Sequence, residues 1–371
     1  MPLPLRQLIK DNRLFALADK AESGESLTFE DGLLLFETPD LTGVGAIANR
    51  ARDRLHGKKA YYARGRRLSY TNICGSKCHF CAFHADRGSA KTYLLGVEEA
   101  ISELNDLPKA SIGELHIVGG LHADLKIDYF ESLFGTIKGS FPAMHLKALT
   151  MVEIEFYAKN SGLHIEDFLR RCMKAGLDSC PGGGAEIFDE ELRRLICPSK
   201  CSANVWLDTA RACHGMGLPT NCSMLYGHIE EPRHKVDHLL RLREAQRESI
   251  GKGLKGFHAY VPLAYQAQGN ELATKYNIQE STGTQDLREI AVARLLLDNI
   301  SHIKAYWVMI GVGLAQVALS YGADDLDGTA EDEEIAHSAG AKTPNGLTVG
   351  YLRRMISEAG FEPIERTSPK P

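Results

Sequence analysis

No apolar stretch in the 371 residues approaches the roughly 18 that a membrane-spanning helix needs. The opening Met1-Pro-Leu-Pro-Leu-Arg-Gln lacks the apolar core of a signal peptide, so the expectation is a cytoplasmic protein. There is no run of basic residues either. With 43 basic against 48 acidic side chains and a formal net charge of −5, nothing holds a nucleic acid or an anionic membrane, and neither is expected as a partner. Internal repeats, low-complexity tracts and a clear interdomain linker are also missing. Nine cysteines, an odd number scattered through a long chain, do not make a disulfide scaffold, which is short, secreted and Cys-dense. The question becomes which thiols do chemistry.

What is present is a globular composition, 44% apolar and 25% charged, large enough for two or three domains or one large α/β barrel. Up to Gly57 the chain reads as helix. Thr28 and Asp31 have capping-box spacing ahead of Leu33–Phe36, and Asp40 can cap a second helix through Ile47, Ala48 and Leu55. From Lys59 short apolar runs alternate with amphipathic stretches, the grammar of βα units. The expected strands are 67–73, 114–118, 145–149, 177–180, 219–225, 257–263, 303–308 and 324–326, with helices at 97–107, 129–138, 165–175, 205–216, 233–248 and 286–297. Eight strands predict a (β/α)8 TIM-type barrel, with a doubly wound open sheet as the alternative. The expected division is a helical lead over 1–58, the barrel over 59–328 and a helical extension over 329–371, with helix at 331–334 and 352–358, packing on the barrel.

Cys74-Gly-Ser-Lys-Cys78-His-Phe80-Cys81 follows the first expected strand. Three thiolates on one strand-to-helix loop can converge on a soft metal centre, zinc or iron–sulfur. A structural zinc site wants a fourth ligand, and no second cysteine pair follows, although His79 or His84 could complete one. Cys197-Pro-Ser-Lys-Cys201 repeats the first spacing without a nearby third ligand. It reads as packing, as do Cys172, Cys180, Cys213 and Cys222 on apolar faces.

The C-x3-C-x-aromatic-C run at the C-terminal end of a first barrel strand resembles the radical S-adenosylmethionine (SAM) superfamily. The resemblance implies a [4Fe–4S] cluster on Cys74, Cys78 and Cys81, with SAM at the open iron and Phe80 against the adenine. It implies backbone contacts to SAM from Gly119 and Gly120, although Leu121 stands where Glu is usual, so a carboxylate role there does not carry over.

Further blocks resemble the aminofutalosine synthase family of menaquinone biosynthesis: His145 to Ile154, Pro181-Gly-Gly-Gly-Ala-Glu186, Met224 to His228, and Tyr306 onward to Gly328. That resemblance implies addition of the 5′-deoxyadenosyl radical to 3-[(1-carboxyvinyl)oxy]benzoate, with SAM consumed and an external donor such as flavodoxin or ferredoxin. The alternative within the superfamily begins with hydrogen abstraction, as in cyclic dehypoxanthinyl futalosine synthase or deazaflavin-cofactor synthase. Glu153, Gly183 and Glu186 are the further expected SAM contacts. The acids equally suit helix N-termini, and the glycines a tight turn. His122, Lys147, Tyr226, His228 and Arg233, at or after strand ends, are the expected substrate contacts, with apolar Phe83, Met224 and Trp307 closing the pocket.

Overall fold

The computed structural model describes residues 4–105 and 113–366. Its first elements follow their caps. Thr28 Oγ1 accepts from Asp31 N at 3.2 Å while the Asp31 carboxylate accepts from Thr28 N at 2.9 Å, starting helix Phe29–Glu37. Asp40 accepts from Gly43 N at 2.9 Å and starts Leu41–His56, which stops at Gly57. These helices bury Leu35, Val44 and Ile47 against helices Pro232–Gly251 and Gly283–Leu296 of the barrel.

The strands are β1 Lys59–Ala63, β2 Gly65–Ser69, β3 Glu114–Val118, β4 His145–Ala148, β5 Thr220–Tyr226, β6 Phe257–Ala264, β7 His302–Ile303, β8 Asp325–Gly328 and β9 Glu362–Glu365, all paired in parallel. Bridges Lys147↔Ser179 and Cys180↔Thr220 insert a two-residue stave between β4 and β5, Lys304↔Asp325 joins β7 to β8, and Arg66↔Glu331 closes the circle. The result is an eight-staved parallel barrel. Its first stave bends at Arg64, so that β1 lies between β8 and β9 while β2 pairs with β3. Alternation decides which side chains enter: Leu115 and Ile117 pack fully buried under the helices, whereas Glu114, His116 and Val118 line the interior cavity.

Several elements depart from the sequence pattern. The expected strand 67–73 runs instead over Gly65–Ser69, because Thr71 and Asn72 turn their side chains to Tyr93 O and Lys91 O and begin a loop. The expected strand 303–308 is two residues long before helix Trp307–Ile310, where the Trp307 indole donates to Gly328 O at 2.9 Å. Residues 331–334 are not helical; Glu331 bridges Arg66 and a short helix begins at Ile335. Helices Met151–Asn160 and Glu190–Ile196, and strands β1 and β9, have no counterpart among the expected elements. The C-terminal extension therefore adds a strand as well as helix Val349–Glu358. Of the expected helix 97–107, residues 97–105 are helical and the last two lie outside the described residues.

Candidate active site

The loop after β2 carries the cysteines, and main-chain hydrogen bonds hold it at the top of the barrel. Gly75 N donates to Leu121 O at 3.1 Å, Gly120 N to Thr71 O at 2.8 Å, and His79 N to Ile196 O at 2.9 Å. Gly120 allows this closeness: a Cβ there would lie 2.3 Å from Ile73 O and 3.0 Å from Cys74 Cβ. Cys74, Cys78 and Cys81 are unpaired thiols and all line one cavity of about 330 Å³ inside the barrel mouth. Among the described residues, the one set of three potential ligand atoms all within 4.8 Å of one another is His56, His302 and Asp324. The cysteine thiols are spread more widely than a single zinc ion requires, which fits a multi-iron cluster. Of the two histidines that could complete a zinc site, His79 turns Nδ1 to Leu195 O at 3.0 Å and His84 turns Nδ1 to Cys81 O at 2.8 Å.

Beside the loop, Phe80 lies under the Lys200 ammonium, 5.3 Å from the ring centroid, and Lys200 is ion-paired with Glu186. Burial acts to lower the Lys200 pKa, but Cys78 and Glu186 more than reverse this and hold it well above its ordinary value. Glu186 has left-handed backbone, φ 49°, and its main-chain oxygen accepts from Leu225 N, tying the glycine segment to β5. Gly182 runs so close to β5 that a Cβ would stand 2.5 Å from Cys222 Cα, and Gly183 lines the cavity.

Glu153 serves two ends. Its Oε2 accepts from Thr150 N at 2.8 Å in the capping box of helix Met151–Asn160. Its Oε1 accepts from Gly119 N at 3.1 Å and the Tyr70 hydroxyl at 2.7 Å. Burial raises its pKa despite these donors.

The other end of the cavity is a charged floor. Register places Arg67 beside His116, and His116 beside Lys147, on β2, β3 and β4. Lys147 Nζ donates to Glu114 at 2.6 Å, Lys304 Nζ to Asp327 at 2.5 Å, and Arg67 Nη2 to Asp327 at 2.7 Å. Burial lowers the Lys147 pKa to about 8 although Glu114 opposes it, and burial with Arg67 alongside holds His116 well below the usual imidazole value. Between floor and loop the walls are Val118, Leu225, Val261, Leu263, Tyr306 and Met309.

The cavity thus brings together Cys74, Cys78, Phe80, Cys81, Gly119, Gly120, Lys147, Glu153, Gly183 and Glu186. It does not reach four other expected contacts. His122 accepts from Asp124 N at 3.1 Å in its own turn, and Tyr226 turns outward to Asp286 at 2.8 Å. His228 is buried against Glu230 at 3.2 Å, and Arg233 is exposed and paired with Glu231 at 3.0 Å. Phe83 lines the cavity, while Met224 and Trp307 are buried elsewhere. Lys200, Arg67 and Lys304 were not singled out from the sequence. Lys200 lies inside Cys197-Pro-Ser-Lys-Cys201, a segment whose spacing points to its cysteines and not to the lysine between them.

Barrel, cysteine loop and glycine-lined mouth define a radical SAM enzyme, with a [4Fe–4S] cluster and SAM as its cofactors. The profile described as "Radical SAM superfamily" matches residues 68–243, and one described as "CofH/MqnC C-terminal region" matches residues 254–369. A Thermus thermophilus protein named aminodeoxyfutalosine synthase is 43% identical, covering 96% of this chain and 95% of its own. A Methanosarcina barkeri protein named 5-amino-6-(D-ribitylamino)uracil--L-tyrosine 4-hydroxyphenyl transferase 1 is 35% identical, covering 95% and 92%. The chain belongs to the radical SAM family, and it is more similar to the first of these two proteins than to the second. In fold it is similar to the crystal structure of methylornithine synthase, with a TM-score of 0.72 at 17% identity over 94% of this chain and 97% of that one.

Proposed function

We propose that this chain makes aminodeoxyfutalosine from SAM and 3-[(1-carboxyvinyl)oxy]benzoate. The observation that carries the reading is the cavity's polarity. One cavity joins a three-cysteine loop to a buried floor of lysine, arginine and histidine donors across apolar walls, which suits an aromatic ring with a carboxylate at one end and a reacting double bond at the other. The 43% identity to a protein named for this activity supports it.

When bound on Cys74, Cys78 and Cys81, the cluster supplies the electron that cleaves SAM to methionine and a 5′-deoxyadenosyl radical. The chain's residues do the rest by placement. Phe80 offers a ring for the adenine, Glu186 and the Gly119–Gly120 carbonyls offer hydrogen-bond acceptors at the SAM end, and Lys200 holds the Glu186 side chain in place through their ion pair. Phe83, Leu263 and Met309 exclude water around a radical that would otherwise be quenched. The adenosyl carbon bonds to the enol-ether methylene, the aryl group migrates from the ether oxygen to the adjacent carbon, and the carbon–carbon bond to the carboxylate breaks; the odd electron departs with the CO2 unit and returns to the one-electron carrier, and water hydrates the CO2 to bicarbonate. The electron comes from an external donor of the flavodoxin or ferredoxin kind, and we place the protein in the cytoplasm. No helix among the described residues is long and apolar enough to cross a membrane.

Anaerobically reconstituted protein given SAM, dithionite and the enol-ether benzoate is expected to yield an adenosyl adduct by mass spectrometry. Free 5′-deoxyadenosine as the sole nucleoside product would overturn the reading in favour of hydrogen abstraction.

A further inference from the structure

We infer that Lys147 and Lys304, with Arg67 and His116 beside them, form a carboxylate-binding floor that holds the aryl carboxylate of the substrate and points its other end at the cysteine loop. This rests on the substrate reading above.

Both lysine side chains are 3% exposed, and both line the cavity. Each ammonium has three N–H donors. Lys147 donates one hydrogen bond, to Glu114, and Lys304 donates one, to Asp327. Two donors remain on each, at a depth where an unmet donor is costly.

Two carboxylates nearby, Asp327 and Glu333, are already engaged. Asp327 Oδ1 takes Lys304 and Oδ2 takes Arg67. Glu333 Oε2 takes the Tyr306 hydroxyl at 2.9 Å, and Oε1 takes the backbone of Ile335 and Ala336 at 3.0 and 3.1 Å. Arg67 also donates to His116 Nδ1, which leaves the imidazole proton on Nε2 and makes this neutral ring another donor. Three cations, Arg67, Lys147 and Lys304, stand against three anions, Glu114, Asp327 and Glu333, so an incoming carboxylate meets no net repulsion. What it finds is spare donors in a site of low dielectric, the condition under which charge-assisted hydrogen bonds are strongest.

The floor also sets direction. Arg67, His116 and Lys147 share one register level on three adjacent strands, below the apolar walls Val118, Val261 and Leu263 and the cysteine loop above. A benzoate whose carboxylate rests on that level presents its meta substituent to the mouth.

The test uses reconstituted holoenzyme with SAM bound and reads 3-hydroxybenzoate binding by calorimetry, with 3-hydroxybenzamide as the uncharged probe. The expected result is a wild type that prefers the carboxylate, and Lys147→Met and Lys304→Met variants that lose about 10- to 100-fold of that affinity, while SAM affinity and the reduced-cluster EPR signal persist. Equal binding of the two probes by wild type, or unchanged benzoate affinity in both variants, overturns the inference. Because a lone Lys147→Met removes the Lys147 ion pair from the buried Glu114, the Glu114→Gln/Lys147→Met pair serves as the folding control. A pair variant that melts like wild type and still binds benzoate with wild-type affinity also overturns it. Binding is read without turnover, so the two readings fail separately. Lysine-dependent benzoate binding without an adenosyl adduct breaks the substrate reading alone, and adduct formation with lysine-independent KM breaks the floor alone.

Discussion

The two ends of the cavity are built from opposite materials. The mouth is made of thiols and main chain, where Gly120 and Gly182 matter because no side chain fits: a Cβ would stand 2.3 Å from Ile73 O or 2.5 Å from Cys222 Cα. The floor is made of long charged side chains that meet across strands, Arg67 to Asp327 and Lys147 to Glu114. The mouth's geometry is set by close approach of the main chain, Gly120 to Ile73 and Gly182 to Cys222. The floor's exists only once the barrel has closed, because its partners lie 260 and 33 residues apart in sequence. Buried ion pairs of this kind add little net stability over apolar packing, and serve to fix donors and acceptors in one arrangement.

The largest expected effects fall at the mouth. Cys74→Ala, Cys78→Ala or Cys81→Ala should abolish the cluster's visible absorbance and all product, whereas Cys197→Ala keeps both. Loss of the cluster in Cys197→Ala would show the ligands to be misassigned.

The base of the barrel should respond to acid instead. His214, held between Ser249 and Thr220 hydroxyls at 2.8 and 2.9 Å, has its pKa lowered from 6.5 to about 4, chiefly by burial. His238, on Ser223 O at 2.9 Å, is lowered to about 3 by the same cause. Between pH 6.5 and these values the unfolded chain binds protons that the folded chain does not, so stability rises with pH there and is lost as pH falls. Each histidine contributes on the order of 3 kcal/mol above pH 6.5. Chemical denaturation from pH 7 to 4 should show the decline, and His214→Gln should flatten its slope; an unchanged slope would remove His214 from the account.

A third effect sharpens the backbone argument. Gly120→Ala should cost about 100-fold in activity by displacing the cysteine loop, while Gly135→Ala, in helix Ile127–Ser140 with open space around its Cβ, should be silent. Equal effects would mean the close approach at Gly120 is not needed.

Smaller again, Lys200→Met should raise KM for SAM about 10-fold by freeing Glu186 and uncovering Phe80. The smallest change is Arg233→Ala, an exposed pair with Glu231 expected to shift stability by under about 0.5 kcal/mol and leave KM unchanged.

How far the sequence could be read follows the same division. The cysteine triad and the Gly119–Gly120 pair were legible because their meaning lies in spacing over a few residues. Most of the strands were legible from their apolar character. Strands β1 and β9 were not: Glu362–Glu365 carries no apolar alternation, and it is a strand only because β1 offers an open edge. Tyr226, His228 and Arg233 were placed near the site by their position at or after the end of β5. Nearness to a strand end does not say which way a side chain faces; alternation does, and Leu225 turns inward while Tyr226 turns out to Asp286. Lys147 was legible as an inward cation, but Lys304 and Arg67 became partners of the same floor only in three dimensions.

By itself, then, the chain's order of residues determined the barrel's repeating pattern, the caps at Thr28 and Asp40, and the loop that gathers three thiols, since each depends on neighbours within a turn or a strand. Tertiary structure alone decided that Lys200 covers Phe80, that Glu153 joins a helix cap to the Gly119 backbone, and that cations from separate staves share one floor. The physical reason is that burial and closure of the barrel set the dielectric, the direction and the partner of each charge, and none of these is carried by residue type or spacing.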